Sequence, residues 1–360
     1  MAKITFPIGP QHPALKEPES FKITAEGECV VDVDIRLGYV HRSIEAACLA
    51  RNYVQGQYVC ERICGICSHI HSNTFARAVE DLLQLEVPAR AKYLRVLVAE
   101  LERIHSHLLW LGVAAHEVGF DTLFMYVWRD REVVQDLLEM ITGNRVHYGF
   151  TTIGGTKFDL TPQMADKCTE GLMVLRERTE YYKQVATTES SFLKRVEGVG
   201  VLTEQQAREL GAVGPTARAS NVPYDARWVF PYDAYPELDY QPITSDLGDV
   251  LGRTIVRVLE TFQAIDICEE VLRRLPEGDI QVRAKPRVPE GETVARCEAP
   301  RGEVFYYIRS NGTDKPARVK VRTPSLANWP ATIAMLEGAY VADAPIIIAS
   351  IDPCMSCTDR

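Results

Sequence analysis

The run ERICGICSHIHS, residues 61–72, holds one C-x-x-C pair, Cys64 and Cys67. A second run, DPCMSCTDR at 352–360, holds Cys354 and Cys357. Two residues between thiols let both sulfurs turn to one point, as a helix start or a tight turn allows. Four thiolates suit a soft metal ion. Nearly the whole chain lies between the pairs, so a shared centre requires residue 357 to return to residue 67. Spacing alone leaves three readings open: structural zinc, a catalytic transition metal, or redox-active disulfides. Zinc ribbons usually keep their pairs tens of residues apart in a small domain without its own core. A redox C-x-x-C typically accompanies a thioredoxin-like βαβ pattern, which this chain does not show.

Working outward, residues 1–40 read as extended, with strands at Phe21–Thr24 and Val30–Ile35. Helical pattern starts near His41. Cys64 and Cys67 fall near the start of a helix through Phe75, Ala78, Leu82 and Leu83, where free N–H groups favour thiolate. Pro88 opens a long helix whose Leu94, Leu97, Leu101, Ile104, Leu108 and Leu111 recur in steps of three and four, a buried stripe. Gly119 ends it. Further helices are expected from Asp121 to Ile141, from Thr161-Pro162 towards Val196, and from Ser245 to Leu275. Thr203 and Gln206 form a capping box for a short helix. Residues 214–243, rich in Pro, Tyr and Asp, read as an ordered loop or linker.

After Pro276 the period changes. Glu303–Arg309 and Ala317–Arg322 flank the turn signal Ser310-Asn311-Gly312-Thr313. A helix near Leu326–Tyr340 and a strand near Ile346–Ser350 lead to the last cysteines. The expected fold is mainly α with small β elements (α+β), a long-helix bundle with an N-terminal sheet and a C-terminal hairpin region. It is read as one domain, 1–360, with a β-rich part (1–40), a helical core (41–275) and a mixed part (276–360).

At 360 residues the chain is long enough to bury a sizeable core. The net charge of −9, from 40 basic and 49 acidic residues, argues against nucleic acid as a general partner. Ten cysteines in this length do not make a secreted disulfide scaffold. The N-terminus lacks the apolar core of a signal peptide, and no apolar run is long enough to span a bilayer. The expected location is cytoplasmic, with any membrane attachment made through other subunits.

The flanks of the two pairs resemble the metal-binding motifs of nickel–iron hydrogenase large subunits. GPQHPAL (9–15), YVHRSIE (39–45), ELERIHSHLLWLG (100–112), GNRVHYGF (143–150) and IGG (153–155) resemble the catalytic subunit of energy-converting, membrane-bound hydrogenases. They also resemble the quinone-site subunit of respiratory complex I, which lacks the four-cysteine set. The alternatives are such a quinone or electron-transfer subunit without its own metal, and a zinc-stapled scaffold.

The resemblance implies that Cys64, Cys67, Cys354 and Cys357 all bind nickel, with Cys67 and Cys357 also bridging to an iron that carries carbon monoxide and cyanide. Glu17 resembles the glutamate that takes protons from a terminal cysteine. Its bland reading is a solvated loop carboxylate, and Glu19 is its nearest competitor. His71 is read as a donor or relay beside the metal, or as a satisfied structural histidine. Pro300-Arg301-Gly302 resembles an arginine loop over the iron, and Thr323-Pro324-Ser325 a cyanide-binding stretch, which makes Arg301, Pro324 and Ser325 cofactor-binding residues. Glu45 resembles a ligand of a magnesium ion near the C-terminus, against an ordinary surface carboxylate. Relatives supply His at the last motif position, where this chain has Arg360. His105 and His107 are read as structural. The implied partners are a small subunit carrying an iron–sulfur cluster, the other soluble and membrane subunits of a complex, and a ferredoxin-type electron donor. Activity would be reversible reduction of protons to dihydrogen.

Overall fold

The computed structural model describes residues 2–13, 15 and 17–360. At the N-terminus, β1 (Lys3–Ile8), β2 (Ser20–Glu26) and β3 (Cys29–Arg36) form an antiparallel sheet in that order. Phe21, Ile23 and Ala25 alternate along β2 and are all buried, the period expected when one face meets a core. β1 was not distinguished in the sequence, where only the extended character of its segment was visible.

Helices α1 (Ile44–Leu49) and α2 (Tyr53–Glu61) follow, then α3 (Ser68–Leu83), α4 (Ala89–Glu117) and α5 (Asp121–Thr142). Cys67 occupies the N-cap position of α3. Pro88 directly precedes α4, and Gly119, with φ of +83°, ends its exit turn. Nearly every side chain from Tyr93 to Leu108 is buried, so α4 is the axis of the molecule. Thr151–Thr152 (β4) and Gly155–Thr156 (β5) make a small hairpin.

The helix expected from 161 to 196 is two helices, α6 (Pro162–Thr188) and α7 (Ser190–Val196). Glu189 leaves the helical region and caps the second one by accepting from Ser191 N–H. The capping box of Thr203 and Gln206 opens α8 (Glu204–Glu209). The loop read at 214–243 contains the short helices α9 (Pro215–Arg218) and α10 (Ala226–Val229). Each is a single turn, too short to leave a periodic signal. The long helix α11 starts later than expected, at Val250, where Asp249 accepts from Gly252 N–H, and it runs to Arg274. It packs along α4 and α6.

The C-terminal hairpin is one half of a three-stranded sheet of β6 (Gly291–Ala299), β7 (Gly302–Ser310) and β8 (Pro316–Arg322). Helix α12 (Pro324–Leu336) leads to α13 (Ala344–Ser350) and α14 (Met355–Asp359). The strand expected at 346–350 is α13, a helix. Its Ile-Ile-Ile run is buried on every side, and a short continuous apolar run carries no period that separates strand from buried helix. Phe21 meets Trp329 of α12 edge to face at 5.6 Å, joining the N-terminal sheet to the C-terminal helices.

Among the described residues, no helix is long and apolar enough to cross a membrane.

Candidate metal centre

The turn before α3 and the N-terminus of α14 meet in the core. The Sγ atoms of Cys64 and Cys354 lie 3.4 Å apart, and those of Cys67 and Cys357 3.5 Å. Cys64, Cys354 and Cys357 fall within one metal-sized cluster, and Cys67, His71 and Cys357 within another that shares Cys357. All four thiols are at most 3 % exposed. Ile66 N–H and Cys67 N–H donate to Cys64 Sγ, and Cys357 N–H donates to Cys354 Sγ. These backbone donors favour thiolate over thiol. Hydrogen bonds from Cys354, Cys357 and Cys67 hold the Cys64 thiol well below the ordinary range. Cys357 is pushed well above it by its bonds to Cys354, Cys64 and Cys67 and by burial. The donor set fits soft thiophilic cations, which displace the remaining protons.

Three carboxylates hold the two cysteine turns in place. Glu102 of α4 accepts from His69 N–H at 2.7 Å and Ile70 N–H at 3.2 Å, fixing the first turn of α3. Asp359 accepts from Gly38 N–H and Val40 N–H, both at 2.9 Å. Glu17 accepts from Met355 N–H at 2.6 Å and Ser356 N–H at 3.1 Å, and Ser356 Oγ also donates to it. Arg42 spans both turns, donating to the carbonyls of Arg62, Ile63 and Ser356. The sequence reading gave Glu102, Asp359 and Arg42 no role. Glu102 left one signal, an acid within a helix otherwise dense in buried positions.

Glu17 therefore sits at the second cysteine turn and lines a cavity of about 90 Å³ with Ile66, Trp110, Arg301 and Cys354. It is half-buried, not a solvated loop carboxylate. Arg301 is buried. Its Nε donates to Asp352 O at 2.7 Å, Nη2 to Asp352 Oδ1 at 2.9 Å, and Nη1 to Ser106 Oγ at 3.2 Å. Guanidinium has five N–H donors, which leaves two for the cavity side. The loop carrying Arg301 crosses Gly214 (φ +66°) so closely that a Cβ there would lie 2.2 Å from Arg301 O. Ser325 Oγ accepts from Cys354 N–H at 3.1 Å, which leaves its own proton to donate, and Thr323 Oγ1 donates to Cys357 O at 2.8 Å. Pro324 is the first residue of α12 and fixes that turn.

His71 Nδ1 lies 2.8 Å from Tyr306 Oη, and Nε2 lies 3.5 Å from Cys357 Sγ. Burial lowers the His71 pKa to about 4, so the ring is neutral at pH 7. The neutral ring carries one proton between these two partners: where the Tyr306 hydroxyl donates to Nδ1, Nε2–H faces Cys357. His107 is paired with Glu260 at 3.0 Å, part of a buried ionic network that continues through Arg218 to Glu298. His105 is also buried and 3.4 Å from Arg131.

Glu45 does not fit a divalent cation. Its carboxylate already accepts from Val321 N–H at 3.1 Å and Lys320 Nζ at 3.2 Å, with Arg360 Nε at 3.5 Å. Two side-chain cations occupy the space that a metal ion would need, and their charge repels one. Among the described residues, the groups of three or more metal-ligating side chains are those of the thiol cluster.

Residues 117–287 and 281–360 match the family described as the 49 kDa subunit of respiratory-chain NADH dehydrogenase, and residues 42–112 match nickel-dependent hydrogenase. The chain is 43% identical over 373 residues to the membrane-bound hydrogenase subunit alpha of Pyrococcus furiosus, covering 99% of this chain and 87% of that one. It is 42% identical over 362 residues to the carbon monoxide-induced hydrogenase of Rhodospirillum rubrum, covering 100% of each. Among solved structures, it superposes with a TM-score of 0.95 and 32% identity on a chain of the membrane-bound sulfane sulfur reductase, an archaeal respiratory membrane complex. That match covers 99% of this chain and 98% of the other.

Proposed function

The chain belongs to the large-subunit family of membrane-bound, energy-converting nickel–iron hydrogenases, related to the 49 kDa subunit of NADH dehydrogenase, and from that premise we propose that it interconverts dihydrogen with two protons and two electrons. The observation that carries the reading is the meeting of all four thiols in one buried cluster. A nickel–iron centre, when bound, supplies the open coordination position at which dihydrogen is split heterolytically.

This chain supplies the groups that would hold the centre and move the proton. Cys64, Cys67, Cys354 and Cys357 would hold the centre through their thiolates. Arg301, through its two remaining N–H groups, and Ser325, through its hydroxyl, would donate hydrogen bonds to ligands on the iron. Pro324 keeps that side of the pocket free of a competing N–H. His71 Nε2 faces Cys357 Sγ and, when it carries the ring proton, would draw charge from that thiolate. Glu17, beside Cys354 in the cavity, accepts the proton released there and passes it on.

Electrons leave through a partner. A small subunit carrying an iron–sulfur cluster docks within transfer distance of the thiol cluster, and a ferredoxin-type protein exchanges electrons with the assembly. The chain acts as one unit, 1–360, held at the cytoplasmic face of a membrane by the other subunits of the complex.

Metal analysis of the purified protein, combined with infrared spectroscopy, tests this. Stoichiometric nickel with iron and bands from bound diatomic ligands is the expected result. Zinc alone would make the cluster a structural staple. No metal at all would point to quinone or electron-transfer work, and either outcome overturns the proposal.

A further inference from the structure

Glu19 stands two residues beyond Glu17, in the extended segment that enters β2. Its side chain is fully buried, and among the described residues neither carboxylate oxygen has a hydrogen-bond partner. The other buried acids near the thiols are engaged: Glu102 by two backbone N–H groups, Asp352 by Arg301. Burying an ionised carboxylate with no donor is prohibitively unfavourable, so such a group keeps its proton. Among the described residues, the charged groups that act on Glu19 are both acids, Asp359 of α14 and Glu17 of its own segment. These three carboxyls do not gather closely enough to share a cation. Asp359 in turn is bound to the N–H groups of Gly38 and Val40, in a loop whose Leu37, Gly38 and Tyr39 are exposed. The acids thus run from the cavity beside Cys354 to a surface loop.

We propose that Glu19 is a second proton carrier, exchanging protons with Glu17 on the way between the thiol cluster and the surface. This rests on the hydrogenase reading above and extends it past Glu17. A carrier must hold a proton and release it at little cost. Burial, and then the charges of Asp359 and Glu17, push the Glu19 pKa up to about 8. It is therefore protonated at pH 7 but within reach of ionisation, the condition for efficient transfer. The sequence reading had Glu19 only as a competitor for the role of Glu17. The structure gives the two acids different work: Glu17 is anchored on the cysteine turn, and Glu19 is the unpartnered group behind it.

The test compares wild type with Glu19→Gln. Infrared spectra should show one protonated-carboxyl C=O band at pH 7 that the variant lacks and that disappears from wild type as pH rises through about 8. Nickel content and diatomic bands should be unchanged, while exchange of hydrogen with solvent deuterium falls about a hundredfold. Wild-type exchange in a nickel-bearing variant, or no missing acid band, overturns the inference. So does a Glu19→Gln chain that fails to fold, since an amide of equal size should replace a neutral carboxyl without loss of the fold. Failure of the hydrogenase reading looks different: wild type itself then lacks nickel, and the acid band, which needs no metal, is still present.

Discussion

Cys64 and Cys354 are 290 residues apart in sequence and 3.4 Å apart at Sγ. Cys67 and Cys357 repeat the same separation at 3.5 Å. Both pairs stand at the starts of helices packed in the core, Cys67 at α3 and Cys354 at α14, so the fold brings them together without the ion. The metal-free chain is expected to fold and the centre to enter a formed site. Cys67→Ser and Cys357→Ser should then give folded protein without a normal nickel–iron centre, because a hydroxyl is a hard, weakly acidic ligand. Circular dichroism and metal content check this. Wild-type turnover in either variant removes that cysteine from the ligand set.

Glu17→Gln separates proton movement from chemistry at the metal. The amide oxygen can still accept from Met355 N–H and Ser356 N–H, so the cysteine turn should hold. The amide cannot accept and release protons near neutral pH. Net hydrogen evolution and solvent exchange should fall about a hundredfold or more, with para- to ortho-hydrogen conversion and infrared bands retained. Solvent exchange at the wild-type rate would reroute the first proton transfer, with His71 the next group to test.

Arg301→Lys keeps the charge and loses the fork. A single ammonium cannot reach Asp352 O, Asp352 Oδ1 and Ser106 Oγ while also pointing donors at the cavity. Nickel should be retained, diatomic infrared bands should shift, and activity should drop about a hundredfold. Unshifted bands with full activity would show that the guanidinium donors do not reach the iron side.

The surroundings of Glu45 predict that no stoichiometric magnesium accompanies nickel in this chain. Prolonged dialysis against a chelator should leave thermal stability and activity unchanged. Arg360→Ala opens the carboxylate of Glu45 on one side and should cost no more than about 1 kcal/mol, the scale of a partly exposed pair. One magnesium per nickel, with loss of stability on its removal, would place an ion between Glu45 and the C-terminal turn after all.

Much of this was legible from residues 61–72 and 352–360 alone. The thiol spacing left structural zinc, a catalytic metal and redox disulfides open, and the flanking residues singled out the family. The long helices α4, α5 and α11 were legible because their apolar periods are long and their ends carry Pro, Gly or Asp. What stayed hidden depends on contacts distant in sequence. Helix α13 looked like a strand because its packing, not its period, decides its form. Glu102 and Arg42 bind backbone atoms at the cysteine turns, and Asp359 binds those of Gly38 and Val40; backbone atoms leave no mark on residue identity. Glu19 read as one acid among several, since burial without a partner is a property of the folded chain.

The buried pair of His107 and Glu260 sets a pH dependence that can be isolated. Burial holds the His107 pKa down to about 4, against the ordinary 6.5. A base depressed in the fold stays neutral there while the unfolded chain takes up its proton. Between about pH 6.5 and 4 the unfolded state therefore binds more protons, and stability falls as pH falls. Below pH 4 both states are protonated and this contribution levels off, after a loss on the order of 3 kcal/mol. His107→Gln keeps a donor for Glu260 but cannot titrate. Denaturant unfolding of both proteins at pH 7, 5.5 and 4.5 should show a shallower fall in the variant, with other titrating groups cancelling in the comparison. Parallel curves would mean that His107 is already protonated in the fold and that its bond to Glu260 at 3.0 Å is a full ion pair at neutral pH.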